Sequence, residues 1–401
     1  LAMVDGRRTA SQRPMDHGGA GTPARIREFL DRERPATPCV VVDLDTVRER
    51  YAEVSEALPE ARLFYAVKAN PAPEVVRLLV GLGASFDVAS PAEIDLCLAQ
   101  GATPESISYS NPIKKRSEIA HAHAAGVRLF AFDSEQDLEH LAAEAPGASV
   151  FCRLLIHSDG ARTPFGKKFG CAREMAADLL VRAAELGLDP CGVSFHVGSQ
   201  QTDPGAWEVG VADAAWVFRA VAGRGVHLRL LNLGGGFPAS YVEATPSLSV
   251  YGKAVQEAVT RHFGDAAPEL AAEPGRAIVG DAGVLRTEVV LVSRKSYDDE
   301  HRWVYLDAGR YNGLAECEGE AIAYRIVTPR DGGPVGPVVL AGPTCDGDDV
   351  LYQRTVYELP LDLRAGDQLD ILSAGAYTAS FASVFFNGFS PLPTHCIGAR
   401  G

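Results

Sequence analysis

Residues 61–100 read ARLFYAVKAN PAPEVVRLLV GLGASFDVAS PAEIDLCLAQ. Two short apolar runs, Arg62–Val67 and Ala84–Val88, each give way to a stretch with helical spacing of apolar residues, Pro73–Leu82 and Pro91–Gln100. Short continuous apolar runs bounded by turn residues suit buried strands, and the longer i, i+3, i+4 pattern suits helices. The second helix start is well marked: Ser90 as N-cap, Pro91 at the first helical position, and Glu93 three residues after the cap. This is a strand–helix repeat. It continues outward, with strands expected at Ser106–Tyr109, Arg128–Phe132, Ser149–Ile156, Gly192–Val197, Leu228–Leu233 and Glu269–Ala272. Ser134–Ala145, Ala172–Leu188, Pro204–Val221 and Val250–Phe263 are among the helices between them. Eight strands, most followed by a helix, make the count of a (β/α)8 barrel, whereas the rival doubly wound sheet usually stops sooner.

The barrel is expected over residues 45–280. After about Asp281 the pattern changes to Leu285–Ser293, His301–Leu306, Ala321–Val327, Val338–Ala341 and Asp367–Leu372, strand-like runs separated by Gly, Pro and Asp with little helix. Residues 281–401 therefore read as a second, mainly antiparallel β-domain. Residues 35–44, with the β-like run Cys39–Leu44, are expected to lend a strand to it. Residues 1–34 mix Gly, Pro, Arg and Ser without periodicity and read as a flexible leader.

Thirty-eight basic residues stand against 52 acidic ones, a net charge of −14, which argues against a nucleic-acid or anionic-membrane partner. No apolar run approaches the ~18 residues of a membrane span. The eight cysteines show no CxxC and no clustered spacing, so they read as reduced thiols in the cytoplasm, and no metal site is expected.

In such a barrel the chemistry sits at the C-terminal ends of strands, with phosphate bound after strands seven and eight. Strand seven ends in Leu233-Gly234-Gly235-Gly236-Phe237 and strand eight in Glu273-Pro274-Gly275-Arg276. Three glycines let backbone N–H groups crowd an anion, and Arg276 adds a fixed positive fork. An isolated Gly-Gly-Gly is usually only a flexible turn. Both features at the two expected positions favour a bound phosphate. Strand one ends in Tyr65-Ala66-Val67-Lys68-Ala69-Asn70, and Lys68 is the one lysine at the catalytic end of a strand; Lys114, Lys115, Lys167 and Lys168 are loop doublets. A lysine there is open to loss of its proton by desolvation and to service as an amine nucleophile, although a snorkelling strand-end lysine is commoner. Opposite a phosphate cradle it suggests a Schiff base to pyridoxal phosphate. Strand six carries His196, strand two Asp87 and strand five Arg153.

These residues carry a family resemblance. Tyr65–Asn70, Phe195-His196-Val197-Gly198-Ser199, Gly234–Phe237, Glu273–Arg276, Pro343-Thr344-Cys345-Asp346-Gly347 and Gly375-Ala376-Tyr377-Thr378 resemble the fold-type III pyridoxal-phosphate decarboxylases, from about Pro38 to Phe389. The resemblance implies an alanine racemase-like barrel and pyridoxal 5'-phosphate as cofactor, held through Lys68. It implies that His196 stacks on the pyridine ring and that Glu273 pairs with its nitrogen. Ser199, Gly234, Gly235, Gly236, Gly275, Arg276 and Tyr377 would bind the phosphate, with Asp87 and Arg153 beside the cofactor. Cys345, donated across a head-to-tail homodimer with shared active sites, would protonate the intermediate. Asp346 would meet the distal amine of a basic substrate, and Phe386 would help desolvate its carboxylate.

The glutamate at 273 separates decarboxylation from racemisation, because a carboxylate keeps the pyridine nitrogen protonated and the ring a strong electron sink. Cys345-Asp346-Gly347-Asp348 resembles the ornithine/lysine branch more than the diaminopimelate one. The expected reaction is conversion of a basic amino acid such as ornithine or lysine to its amine and CO2. A diaminopimelate or other specialised decarboxylase is the alternative, and a non-catalytic regulatory relative a distant third. The resemblance also calls for an acidic residue just before the Cys345 loop. Glu316, Glu318 and Glu320 compete for that part, and Glu318 is favoured.

Overall fold

Strands buried on both faces need apolar side chains at nearly every position, which is why the barrel runs are continuous rather than alternating. The computed structural model describes residues 21–157 and 159–398. The chain opens with α1 (Ala24–Glu33), β1 (Cys39–Asp43) and α2 (Leu44–Ala57). The first half of the barrel is β2 (Ala61–Ala66), α3 (Pro73–Gly81), β3 (Ser85–Val88), α4 (Pro91–Ala99), β4 (Ile107–Tyr109), α5 (Arg116–Ala124), β5 (Leu129–Phe132) and α6 (Glu135–Glu144). The second half is β6 (Ser149–Arg153), β7 (Ala161–Thr163), α7 (Arg173–Glu185), β8 (Asp189–Ser194), β9 (Ser199–Gln201), α8 (Trp207–Ala222), β10 (Leu230–Asn232), α9 (Leu248–Phe263), β11 (Glu269–Ala272) and α10 (Arg276–Val279).

Eight strands close the barrel in the order β10-β11-β2-β3-β4-β5-β6-β8, every pair parallel. Only β7 and β9 stand apart, as a two-stranded ribbon over the mouth side of β6 and β8. Ser90 and Ser134 cap α4 and α6 by accepting the N–H of Glu93 and Asp137, so two of the helix starts are fixed by local chemistry.

The second domain is β12 (Gly283–Ser293), β13 (Arg302–Leu306), β14 (Ile326–Val327), β15 (Val335–Ala341), β16 (Val350–Pro360), β17 (Gln368–Leu372) and β18 (Thr394–Ile397), joined by β1. Most of its pairings are antiparallel; β1 with β18 and β13 with β15 are parallel. Thus β1 does belong to this sheet, lying between β12 and β18. No helix among the described residues is long and apolar enough to cross a membrane.

Two expectations need correction. The first is the flexible leader. Residues 1–20 lie outside the described residues, but Ala24–Glu33 is helical, and Ile26 and Leu30 are buried against Cys39, Val41, Val284 and Leu372. A single i, i+4 apolar pair was enough to dock it on the sheet. The second is the strand expected at Ala321–Val327. Only Ile326–Val327 pairs, because residues 315–320 form a tight turn kinked at Glu318 and Gly319, where Gly319 takes φ +61°.

Candidate active site

Barrel closure makes β10, β11, β2 and β3 consecutive neighbours, so the glycine loop, Glu273, Lys68 and Asp87 emerge side by side at one mouth. Lys68 lies in a single turn, Val67–Ala69, immediately after β2, and its Nζ donates to Asp87 Oδ2 at 2.7 Å. The carboxylate is buried, while 41% of the lysine side chain faces the cleft. The sequence reading, in which desolvation opens the lysine to loss of its proton, is not met. Here burial does pull its pKa down, but Asp87, Tyr377 and Glu273 outweigh it and hold the ammonium above its ordinary value. The amine is therefore kept charged and held towards Asp87.

Glu273 follows β11 and is fastened by a small ring of hydrogen bonds. Asn232, the last residue of β10, donates from Nδ2 to Glu273 Oε1 at 2.6 Å and accepts the Gly234 N–H at 2.9 Å. The Glu273 N–H closes the ring on the Gly234 carbonyl at 2.8 Å. Burial and the Asp87 charge push the Glu273 carboxyl up to about 7, against the pull of Lys68, Asn232 and Arg153. His196 sits two residues beyond the end of β8 rather than within it. Its Nδ1 accepts the Gly198 N–H at 2.9 Å, which places the ring proton on Nε2 in the neutral form. Burial, then Arg153 and Lys68, hold its pKa well below the ordinary range, so it is a neutral ring. Phe165 meets it edge-on at 4.5 Å, and Arg153 lies over Phe165 and Phe169.

The glycines form a cradle that admits no side chain. A Cβ on Gly234 (φ +67°) would lie 2.1 Å from the Phe195 carbonyl oxygen, one on Gly235 2.7 Å from that of Glu273, and one on Gly236 2.5 Å from that of Gly198. On Gly275 it would meet Ala69 and Ala66. The N–H groups of Gly235 and Gly236 donate to no acceptor among the described residues, an arrangement suited to an anion. Arg276 reaches the same place. Its Nε and Nη2 donate to Ser199 Oγ at 3.3 and 3.0 Å, and its guanidinium lies 4.8 Å from the centre of the Tyr377 ring. Neutral His196, a buried carboxyl, an aimed lysine and unpaired amides fit a flat, phosphate-bearing pyridine.

Cys345, Asp346 and Phe386 gather elsewhere, on the second domain. Cys345 is exposed and its N–H donates to Asn387 Oδ1 at 3.0 Å, while Phe386 packs on Tyr311 at 4.9 Å. Glu318 is 80% exposed at its side chain and pairs with Arg310, which also holds the Asp348 carbonyl at 2.6 Å. So Glu318 stands beside the Cys345 loop. Glu320 is consumed by the backbone N–H groups of Gln353, Arg354 and Thr355. Lys114, expected in a loop, is there but buried, its ammonium locked to Asp137 at 2.5 Å and to the Ala131 carbonyl at 2.7 Å. Sequence reasoning missed Asn232, Tyr241 and Phe165, and it named Glu316 only as a candidate to face the substrate, not as the partner of Arg276. Only Asn232 carried a signal, as a polar residue closing a barrel strand.

Residues 44–280 match the family described as pyridoxal-dependent decarboxylase, pyridoxal binding domain. The chain is 36% identical over 364 residues to the lysine/ornithine decarboxylase of Selenomonas ruminantium, covering 90% of each chain. It is 34% identical over 371 residues to antizyme inhibitor 2 of Xenopus laevis, covering 88% of this chain and 80% of that one. The solved lysine decarboxylase of Selenomonas ruminantium, in complex with PLP and cadaverine, superposes with a TM-score of 0.83 at 33% identity, over 94% of each chain.

Proposed function

Because the chain belongs to the pyridoxal-dependent decarboxylases, we propose that it releases CO2 from a basic amino acid such as ornithine or lysine, leaving the corresponding amine. The observation that carries this reading is the pairing, at one barrel mouth, of an aimed lysine with a buried glutamate beside a cradle no side chain can fill. Pyridoxal 5'-phosphate, when bound, supplies an electron sink for the pair of electrons left by CO2. Lys68 would hold it, with Asp87 and Arg153 alongside, and Ser199, Gly234–Gly236, Gly275 and Tyr377 would take its phosphate, with Arg276 supplying positive charge from behind Ser199.

The protein's own work is electrostatic and geometric. Glu273 would serve the ring nitrogen with a proton affinity already raised by burial, and Asn232 keeps its carboxyl oriented. His196, neutral, would cover the ring face without adding a charge that competes with a proton there. Phe386 is placed to strip water from the departing carboxylate, whose charge is lost with CO2. The Cys345 thiol would return a proton to the α-carbon that the carboxylate has left, and Asp346 with Glu318 would receive the substrate's distal ammonium.

For Phe386, Cys345, Asp346 and Glu318 to reach the lysine, we propose a homodimer in which each site takes Lys68 from one chain and Cys345 from its partner. Exposed Phe381, Val384, Phe385, Phe386 and Phe389 lie close in sequence on the Cys345 side of the second domain, an apolar surface that a second copy would bury. Eight unbridged cysteines, most of them buried, fit a reducing compartment, and we place the enzyme in the cytoplasm making polyamines. A net charge of −14 fits a small cationic substrate rather than nucleic acid. A silent regulatory role is disfavoured by the intact Lys68, Cys345 and cradle. Measuring CO2 and amine from ornithine, lysine, arginine and diaminopimelate tests the reading. Release from none of the basic substrates would overturn it.

A further inference from the structure

Arg276 is the first residue of a short helix at the end of the barrel, and its side chain is almost entirely buried. A buried guanidinium must be matched, and here every N–H is spoken for. One edge, Nε and Nη2, meets Ser199 Oγ. The other edge meets a carboxylate: Nη1 donates to Glu316 Oε2 at 2.8 Å and Nη2 to Glu316 Oε1 at 2.6 Å, a two-pronged fork. Tyr241 takes the remaining Nη1 hydrogen at 2.8 Å. The pair is buried on both sides, with 3% and 8% of the side chains exposed.

That is an odd place for a carboxylate. If the cradle takes a phosphate, a second buried negative charge stands behind the one cation that serves it. Charge alone would make Glu316 harmful to binding. Geometry argues the reverse. An arginine side chain has four rotatable bonds, and the Glu316 fork and Tyr241, with the Tyr377 ring against the guanidinium, keep this one turned so that its near edge grips Ser199. Because Ser199 Oγ already receives two hydrogen bonds from Arg276, its own hydrogen is left free for another acceptor.

We propose that Glu316 is a positioning residue for the cofactor's phosphate: it acts through Arg276 and Ser199, and it ties the second domain, in which it lies, to the phosphate end of the barrel. The proposal rests on the assignment of Arg276 and Ser199 to the phosphate, and it removes Glu316 from the competition to face the substrate's distal amine.

The test compares two probes on cofactor-free protein, pyridoxal 5'-phosphate and pyridoxal, by titrating the visible absorption of the bound form. Wild type, Glu316→Gln and Glu316→Asp are measured, each checked for folding by its thermal melt. Gln keeps the size but loses the charge-assisted fork, and Asp keeps the charge but loses the reach. Both variants are expected to bind pyridoxal phosphate roughly ten- to a hundred-fold more weakly, the loss that follows from hydrogen bonds to a charged partner. Both should bind pyridoxal as the wild type does. Unchanged or tighter phosphate binding by Glu316→Gln would overturn the proposal in favour of simple charge repulsion. Equal weakening of both probes would overturn it in favour of a general structural role. A failure of Glu316→Gln to fold, with Glu316→Asp folded and binding like wild type, would also overturn it. Wild type that binds neither probe would refute the cofactor reading itself, a result distinct from these.

Discussion

Replacing Glu273 by Gln separates what this carboxyl does for folding from what it does for chemistry. In the cofactor-free protein its pKa stands at about 7 instead of 4.5, chiefly because it is buried and because Asp87 is close. An acid whose folded-state pKa is raised binds more protons folded than unfolded between those two values. Stability therefore falls as pH rises through that window, and stays lower above it. Each pKa unit corresponds to about 1.4 kcal/mol, so the ionised carboxyl costs about 3 kcal/mol at pH 8 and above. Gln has the shape of the protonated form and can still accept from Asn232. Glu273→Gln should thus match wild type near pH 4.5 and exceed it by up to about 3 kcal/mol near pH 8.5. Urea denaturation of both proteins, stripped of cofactor, across that range reads the difference. The same variant should retain bound cofactor through its phosphate while turnover falls by orders of magnitude, since oriented electrostatics contribute several kcal/mol to catalysis. Parallel stability profiles for the two proteins would refute the burial argument, and near-normal turnover would refute the role at the ring nitrogen.

Lys68→Ala should abolish the borohydride-stable cofactor label that peptide mapping finds on the Val67–Ala69 turn of wild type; label on another lysine would contradict the assignment. Gly234→Ala puts a methyl 2.1 Å from the Phe195 carbonyl on a backbone at φ +67°. It should lose cofactor on dialysis and lower stability by about 1–3 kcal/mol, and an unchanged melting temperature with full cofactor content would show that the cradle is looser than its geometry. Mixing inactive Lys68→Ala and Cys345→Ala proteins should restore activity, because each hybrid dimer holds one site with neither lesion. Hybrids that form without activity would place Cys345 in its own chain's site or in none.

The barrel was legible because its signals are local. Each strand is a short apolar run, several helices begin at a serine or proline, and the positions that carry chemistry follow from where strands end. Lys68, Asp87, Glu273 and the glycine loop were found that way. What escaped was whatever depends on distant partners. Arg276, Tyr241 and Glu316 meet across 35 and 40 residues, and nothing near Glu316 marks it out from Glu318 or Glu320. Strand β16 escaped for a different reason: Gln353, Arg354 and Thr355 interrupt its apolar pattern, and its pairing with β15 shifts register there. Helix α1 buries only two side chains, too few to stand out against a Gly- and Pro-rich background.

The seam at which β11 meets β2 joins the last barrel strand made to the first. Lys68 stands on one side of it, and Glu273 and Gly275 on the other. A chain emerging from the ribosome has its lysine early and lacks the opposite wall until some two hundred residues later. On the proposed assignment, a partial barrel would offer the cofactor a lysine without a phosphate cradle or ring partner. Firm loading would then wait for ring closure, a contact between strands far apart in the chain and so slow to form. Once loaded, the cofactor would bridge that seam, and opening the barrel would mean giving it up. A small molecule needed for catalysis would then also act as a latch on a slow fold contact, and raising its concentration should stabilise the fold.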